Sequence, residues 1–279
     1  MTSEGERDVA SKGCGIRLVA VDEDGTFLRD HQGYDVERFE RIWGQMAKRG
    51  CRFVVASGNQ YYQIRDLFPA HAHEMGFVSA NGAYVLDGSE EVFAARAPRE
   101  AVEAMIDYAH ANPEVPFSML GVRGAYVERG SSQWFFDDTA VYCHRLFWVD
   151  DFRDVDDQVF MFSSVVDGVD EAMVQILRVR DALGGSMEPV SSGDGYFDVV
   201  TPGVHKASGL RMLMDRWGIS PSEVAAFGDS HNDVEMLKMA GRSYAMAGAP
   251  DDVKAVAGHV APPCEEDGVL QVLEGLFFE

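Results

Sequence analysis

Residues Ile16 to Val21 read IRLVAV and run straight into Asp22-Glu23-Asp24-Gly25-Thr26. A short apolar run rich in β-branched residues, cut off by an acidic turn, is a buried strand that ends at a polar edge. The pattern recurs: Arg52 to Ala56 leads into Ser57-Gly58-Asn59, and Val224 to Gly228 leads into Asp229-Ser230-His231-Asn232-Asp233. Helical patterns lie between these strands. Asp35 to Arg49 sets Val36, Phe39, Ile42, Trp43 and Met46 on one face, with Gly50 as the stop. A further helix is expected through Leu67, then a strand near Phe77 and Val78. Strand and helix in alternation predict a parallel sheet covered on both faces.

The middle of the chain has a different texture. Expected elements there are a helix from Pro98 to Ala111, a strand over Val159 to Val165, a helix from Asp170 to Leu183 and a strand over Tyr196 to Val200. That mixture reads as an inserted α+β domain. Its aromatic clusters, Gln133-Trp134-Phe135-Phe136 and Arg145-Leu146-Phe147-Trp148, read as core at sheet spacing, with a substrate platform as the other reading. From Lys206 the alternation resumes. A helix to Trp217 is closed by Gly218, and the strand Val224 to Gly228 precedes a helix from Asp233 to Ala240. A strand over Ser243 to Met246, a helix from Asp251 and a tail helix Val269 to Phe277 follow. The expected division is a leader at 1–14, a core at 15–88 and 190–279, and the insert at 89–189.

Charge narrows the partners. A net charge of -22 and a pI near 4.6 repel polyanions, which argues against nucleic acid and anionic membrane as partners. Met1 to Cys14 holds no apolar run of signal-peptide length, and no later stretch approaches a membrane span, so a cytoplasmic location is expected. Cys14, Cys51, Cys143 and Cys264 are scattered without ligand spacing and read as buried reduced thiols. An anionic substrate in such a chain needs local positive charge from a metal ion or a placed Lys or Arg.

Four polar segments sit just past a strand end or at a helix start beside one, the edge at which open α/β sheets bind ligands. In the first, alternation along an extended turn points Asp22 and Asp24 the same way, and Gly25 lets the backbone turn. Two carboxylates held together call for a cation, and hard oxygen donors suit Mg²⁺. A solvated turn is the plainer reading of an isolated Asp-x-Asp pair. In the second, the Ser57 hydroxyl and the backbone N–H groups around Gly58 are placed to hold a phosphate oxygen, or simply to cap a helix. The third is Lys206, whose charge opposes the dipole of the helix it opens unless an anion is near. The alternative is an ordinary surface lysine. The fourth offers Asp229 as an oxygen ligand and Asn232 as a neutral donor, with Asp233 as a helix cap.

In order and placement these segments resemble the four signature motifs of the haloacid dehalogenase (HAD) superfamily. The insert between the second and third is similar to the large C2B-type cap of the Cof-type (HAD-IIB) branch. The string VVASGNQYYQI, Val54 to Ile64, resembles the SupH-like sugar phosphatases. The resemblance implies a Rossmann-like core, and a cap that chooses the substrate.

It further implies that Asp22 attacks phosphorus and that Asp24 protonates the leaving oxygen and then activates water. Magnesium is then held by Asp22, the backbone carbonyl of Asp24, Asp229 and waters. Ser57, Gly58, Lys206, Asn232 and the backbone N–H of Glu23 surround the phosphoryl oxygens. Two positions depart from the family pattern. Glu23 replaces the usual hydrophobic residue between the aspartates. Asn59 replaces the Arg of many relatives, as in the SupH-like group. Asn81-Gly82 is placed either to touch substrate or to form a turn.

The expected activity is Mg²⁺-dependent hydrolysis of small phosphomonoesters, sugar phosphates foremost, by a monomer or weak homodimer. A sugar phosphomutase using the same nucleophile and a phosphoester-binding module without turnover are the rivals.

Overall fold

The computed structural model describes residues 15–29, 33–193 and 195–278. The expected leader and Cys14 lie outside the described residues. The chain begins with β1 (Leu18–Val21), α1 (Val36–Lys48), β2 (Arg52–Ala56), α2 (Tyr61–Asp66), β3 (Gly76–Ser79), β4 (Tyr84–Asp87) and β5 (Glu90–Ala94). It continues through α3 (Arg99–Ala111), β6 (Ser118–Gly121), β7 (Ala125–Glu128), α4 (Gln133–Tyr142), β8 (Leu146–Val149), β9 (Val159–Val165), α5 (Gly168–Leu183), β10 (Glu188–Gly193) and β11 (Tyr196–Val200). It closes with α6 (Lys206–Trp217), β12 (Val224–Gly228), α7 (Val234–Met239), β13 (Arg242–Met246), α8 (Asp251–Val256), β14 (His259–Ala261) and α9 (Gly268–Phe277).

One sheet has the order β14-β13-β12-β1-β2-β3-β4-β5. Its strands from β14 to β3 run parallel. β4 and β5 are antiparallel, so the expected parallel sheet carries a hairpin at one edge. Only Gly88 and Ser89 separate those two strands, too short a link for a parallel crossover. Period-two alternation explains the burial. Val19, Val21, Phe53 and Val55 face an aromatic layer with Phe27, Phe39 and Phe68. Leu18, Ala20, Val54 and Ala56 face Leu210, Leu213 and Met236 on the other side. Phe27 stacks edge-on to Phe39 at 5.5 Å and to Phe53 at 5.7 Å, which ties the acidic turn after β1 to the core.

Helix α1 begins as its sequence dictates, with the Asp35 carboxylate accepting from Arg38 N at 2.9 Å. Phe39, Ile42 and Met46 of its apolar face are buried, whereas Val36 is exposed. Cys51, Cys143 and Cys264 are buried. Among the described residues, no helix is long and apolar enough to cross a membrane.

The insert is a six-stranded sheet in the order β10-β11-β9-β6-β7-β8. One face packs on α3 and α5 through Met119, Phe162, Phe197 and Val199. Alternation turns Ser118, Ser163 and Asp198 to the opposite face, where register places them side by side across β6, β9 and β11. Sheet membership moves both expected borders. β5 belongs to the first sheet, and β10 and β11 belong to the second, so the chain crosses between sheets after Ala94 and after Val200. A strand is assigned by its pairing partner, which its own sequence does not name.

The aromatic clusters also differ from a plain sheet core. Gln133-Trp134-Phe135-Phe136 opens helix α4, with Phe135 buried, Trp134 exposed and Phe136 stacked on Trp148 at 4.3 Å.

Candidate active site

A cavity of about 390 Å³ lies between the two sheets, lined by Asp22, Asp24, Ser57, Gly58, Lys206, Asp229 and Asn232 from the first. Thus the strand-end segments, far apart in sequence, meet at one place. Asp22 follows β1 and donates its backbone N–H to Phe227 O of β12 at 3.0 Å. Asp22 and Asp24 are extended, at φ -72°, ψ 164° and φ -72°, ψ 131°, and Gly25 at φ 72° turns the backbone so that Glu23–Phe27 closes into a tight turn. Both Asp22 and Asp24 line the cavity. Gly25 is required twice over, since a Cβ there would stand 2.6 Å from Asp229 Oδ2.

Lys206 explains its own position. Its Nζ donates to Asp22 Oδ1 at 2.5 Å and to Asp233 Oδ1 at 2.8 Å, and all three side chains are buried. It is a buried counter-ion at a helix start, not a surface lysine. Burial pushes the lysine down, but Asp22 and Asp233 outweigh that and hold it above its ordinary range. The Asp233 side chain does not cap α7 as expected, but turns back on the loop before it. Its Oδ2 accepts from Asp229 N at 3.0 Å and Ser230 N at 3.1 Å, fixing the loop that carries Asp229. Gly228 leaves room for it, because a Cβ there would meet Asp233 Cβ at 2.5 Å.

The carboxylates that gather are those of Asp22, Asp229 and Asp233, with one oxygen of each within 4.8 Å of the others. The Asp24 side chain is not in that group and instead accepts from Asn59 Nδ2 at 2.8 Å. Asn59 also donates to Glu23 Oε2 at 3.2 Å, and Gln63 Nε2 donates to Glu23 Oε1 at 2.7 Å. The Glu23 side chain is therefore buried within the network, not merely a backbone contributor.

Burial raises Asp22 to about 7 against the pull of Lys206, and raises Asp233 to about 6 with Asp22 adding to it. Burial, with Asp233 next, also raises Asp229. Burial, followed by Asp24, lifts Glu23 to about 7. Three clustered carboxylates against one ammonium leave uncompensated negative charge out of water, and hard oxygen donors of that kind fit a divalent cation.

The second segment departs from expectation. The Ser57 N–H donates to Val78 O and the Asn59 N–H to Ser57 Oγ at 3.0 Å, so these two are already used, and α2 starts only at Tyr61. Asn232 Nδ2 donates to Asn81 Oδ1 at 3.1 Å, and Asn81 Nδ2 donates to Asp198 Oδ2 at 3.0 Å. Asn81, at φ 55°, is a bridge between the two sheets and does not line the cavity. Gly82 beside it has no space for a side chain, His205 O being 2.4 Å from the site of a Cβ.

Sequence reasoning missed the far wall of the cavity. Phe135, Asp138, Thr139 and Tyr142 of α4, spaced as one helical face, line it with Ser163, Tyr196 and Asp198 from the sheet. A carboxylate inside the apolar strand YFDVV was the available signal for Asp198.

A family model described as haloacid dehalogenase-like hydrolase matches residues 19–273. The chain belongs to this family. The hydrolase is 41% identical over 260 residues to 5-amino-6-(5-phospho-D-ribitylamino)uracil phosphatase YbjI of Escherichia coli (strain K12), covering 93% of this chain and 95% of that one. Among solved structures, SMU.1108c from Streptococcus mutans UA159 superposes with a TM-score of 0.87 at 33% identity, covering 95% of this chain and 100% of that one. A sugar phosphatase of HAD subclass IIB shares the fold, with a TM-score of 0.75 at 23% identity over 93% of this chain and 98% of that one. This HAD-like hydrolase is a phosphatase with a Rossmann-like core and an inserted cap. Its family generally uses a divalent metal, and the gathering of Asp22, Asp229 and Asp233 is where its own residues fit one, Asp22 and Asp229 being the candidate ligands because both Asp233 oxygens are taken by Lys206 and the loop N–H groups.

Proposed function

We propose that this phosphatase hydrolyses a small polyhydroxylated phosphomonoester, a sugar or ribityl phosphate, through a phosphoryl-enzyme formed on Asp22. The observation that carries this reading is the pairing of Asp22 with buried Lys206 at 2.5 Å on the floor of a cavity sized for a small metabolite.

Asp22 is the nucleophile. One carboxylate oxygen forms a bond to phosphorus as the ester oxygen leaves, and Asp24 in its acid form gives that oxygen its proton. Asp24, now a carboxylate held by Asn59, then takes a proton from water as the water attacks phosphorus. The bond between phosphorus and Asp22 breaks, and inorganic phosphate and free Asp22 result. Lys206, Ser57, Gly58, Asn232 and the Glu23 N–H surround the phosphoryl oxygens. Lys206 offsets their charge in a molecule that otherwise repels anions. Mg²⁺ would be held by Asp22, Asp229 and the Asp24 carbonyl, and supplies electrostatic stabilisation of the transferring group.

The substrate class is supported from two sides. The Escherichia coli relative is named for a phosphate ester on a ribityl chain. The cap wall of this cavity offers the hydroxyls and carboxylates of Ser118, Ser163, Asp138 and Asp198, which suit a leaving group rich in hydroxyls. Phosphate release from sugar, ribityl, nucleotide and aryl phosphates, with Mg²⁺ and with EDTA, tests the reading. Metal-dependent release led by polyhydroxylated esters is expected. No release from any of them would defeat it.

A further inference from the structure

The cavity has two walls of different character. On the core side stand Lys206 and the strand-end segments. Every cavity-lining residue from the cap is neutral or acidic, and among the described residues Lys206 is the one Lys, Arg or His that lines the space. Two carboxylates face it from the cap. Asp198 is buried at the centre of β11, one strand in from the edge of the cap sheet, and its Oδ2 accepts from Ser192 Oγ at 2.6 Å and from Asn81 Nδ2 at 3.0 Å. Asp138 lies one helical turn beyond Phe135 and accepts from the Tyr196 hydroxyl at 2.9 Å. Burial holds Asp198 above the usual carboxylate range, and the donors from Ser192, Ser163 and Asn81 offset only part of that rise.

We infer that Asp138 and Asp198 are specificity-determining residues that accept hydrogen bonds from the leaving group and exclude esters carrying a second anionic group. The positive charge of the site is committed to one phosphoryl group. A carboxylate or second phosphate at the far end of a substrate would face these aspartates with no cation to meet it, in a space where screening by water is reduced. A neutral polyol meets acceptors instead, and each hydroxyl that leaves water finds a partner. Asp198 is a positioning group as well. It holds Asn81, which accepts from Asn232 on the phosphoryl side, so the wall that reads the leaving group is joined by two hydrogen bonds to the wall that reads phosphate.

This inference rests on the phosphatase reading, and a matched pair of substrates separates the two. Sorbitol 6-phosphate and 6-phosphogluconate share a carbon skeleton and differ at C1, a hydroxymethyl group in one and a carboxylate in the other. The kcat/KM of the Mg²⁺-loaded enzyme is expected to favour the polyol ester by at least about tenfold. Asp198→Asn and, independently, Asp138→Asn should lower that ratio severalfold, whatever they do to the absolute rate. Asp138 is half-exposed, so its variant should still fold if Asp198→Asn does not. Equal rates for the two esters, or an unchanged ratio in both variants, would overturn the inference while leaving the chemistry at Asp22 standing. Failure to release phosphate even from p-nitrophenyl phosphate would overturn the phosphatase reading and this inference with it.

Discussion

Lys206 Nζ donates to Asp22 Oδ1 at 2.5 Å across 184 residues of sequence, and both groups are buried. The same ammonium reaches Asp233 at 2.8 Å, so a single cation holds two carboxylates from two different strand ends. Replacing it by Lys206→Met removes the charge at similar length. Two buried anions are then left uncompensated, at a cost of about 3–5 kcal/mol. Urea unfolding in EDTA should show that loss, and phosphate release should fall at least ~100-fold. A variant as stable as the wild type would show that the lysine is not the counter-ion of this cluster.

Asp22→Asn separates chemistry from folding. The amide cannot form the phosphoryl-enzyme, so turnover should vanish. The fold and phosphate binding should persist, because the change removes one of three clustered like charges. Steady-state phosphate release and the unfolding midpoint read the two effects. Retained turnover would mean that another group attacks phosphorus.

Glu23 gives a pH signature. Its folded-state value lies at about 7, above the usual 4.5, chiefly through burial. A raised carboxyl contributes stability that is fully present below pH 4.5 and is lost as pH rises through about 7. Glu23→Gln removes that dependence. In metal-free protein, the variant should gain on the wild type between pH 5 and pH 8 by up to roughly 2–3 kcal/mol, from the size of the shift. Urea midpoints at the two pH values measure it, and parallel curves would exclude a buried Glu23 that titrates in this window.

Gly25→Ala probes the cation site through the backbone. The position has φ 72°, and the added methyl would press on Asp229 Oδ2. Adopting that conformation with a Cβ costs about 1–2 kcal/mol. Displacement of Asp229 should raise the Mg²⁺ concentration for half-maximal phosphate release at least about tenfold. EDTA should silence both proteins, and an unchanged Mg²⁺ titration would place the metal elsewhere.

Much of the fold was legible because the core strands are buried on both faces, and because core and cap strands alike are apolar runs that end abruptly. β2, β9, β11, α6 and β12 have the bounds expected from their apolar runs and stops. The meeting of Asp22, Ser57, Lys206 and Asp229 followed from strand ends lying on one edge of a parallel sheet. What escaped depends on partners distant in sequence. Asp233 looked like a helix cap, since nothing local shows that Lys206 will reach it. Asp198 was hidden in an apolar strand, and its donors come from β10 and from the loop after β3. Helix α4 was masked by its aromatic residues, which blur a period of 3.6 into a plain hydrophobic run. The domain borders shifted for the same reason, β10 and β11 being claimed by β9.

The chain leaves the first sheet once, after Ala94, and returns once, after Val200. All residues proposed to cleave the ester lie outside that interval, and both aspartates inferred to judge the leaving group lie inside it. On that inference, recognition is carried by a single cassette of sequence. Exchange of that cassette between relatives could re-aim the enzyme at a new metabolite while Asp22, Lys206 and Asp229 remain untouched, so that chemistry and taste can be inherited separately.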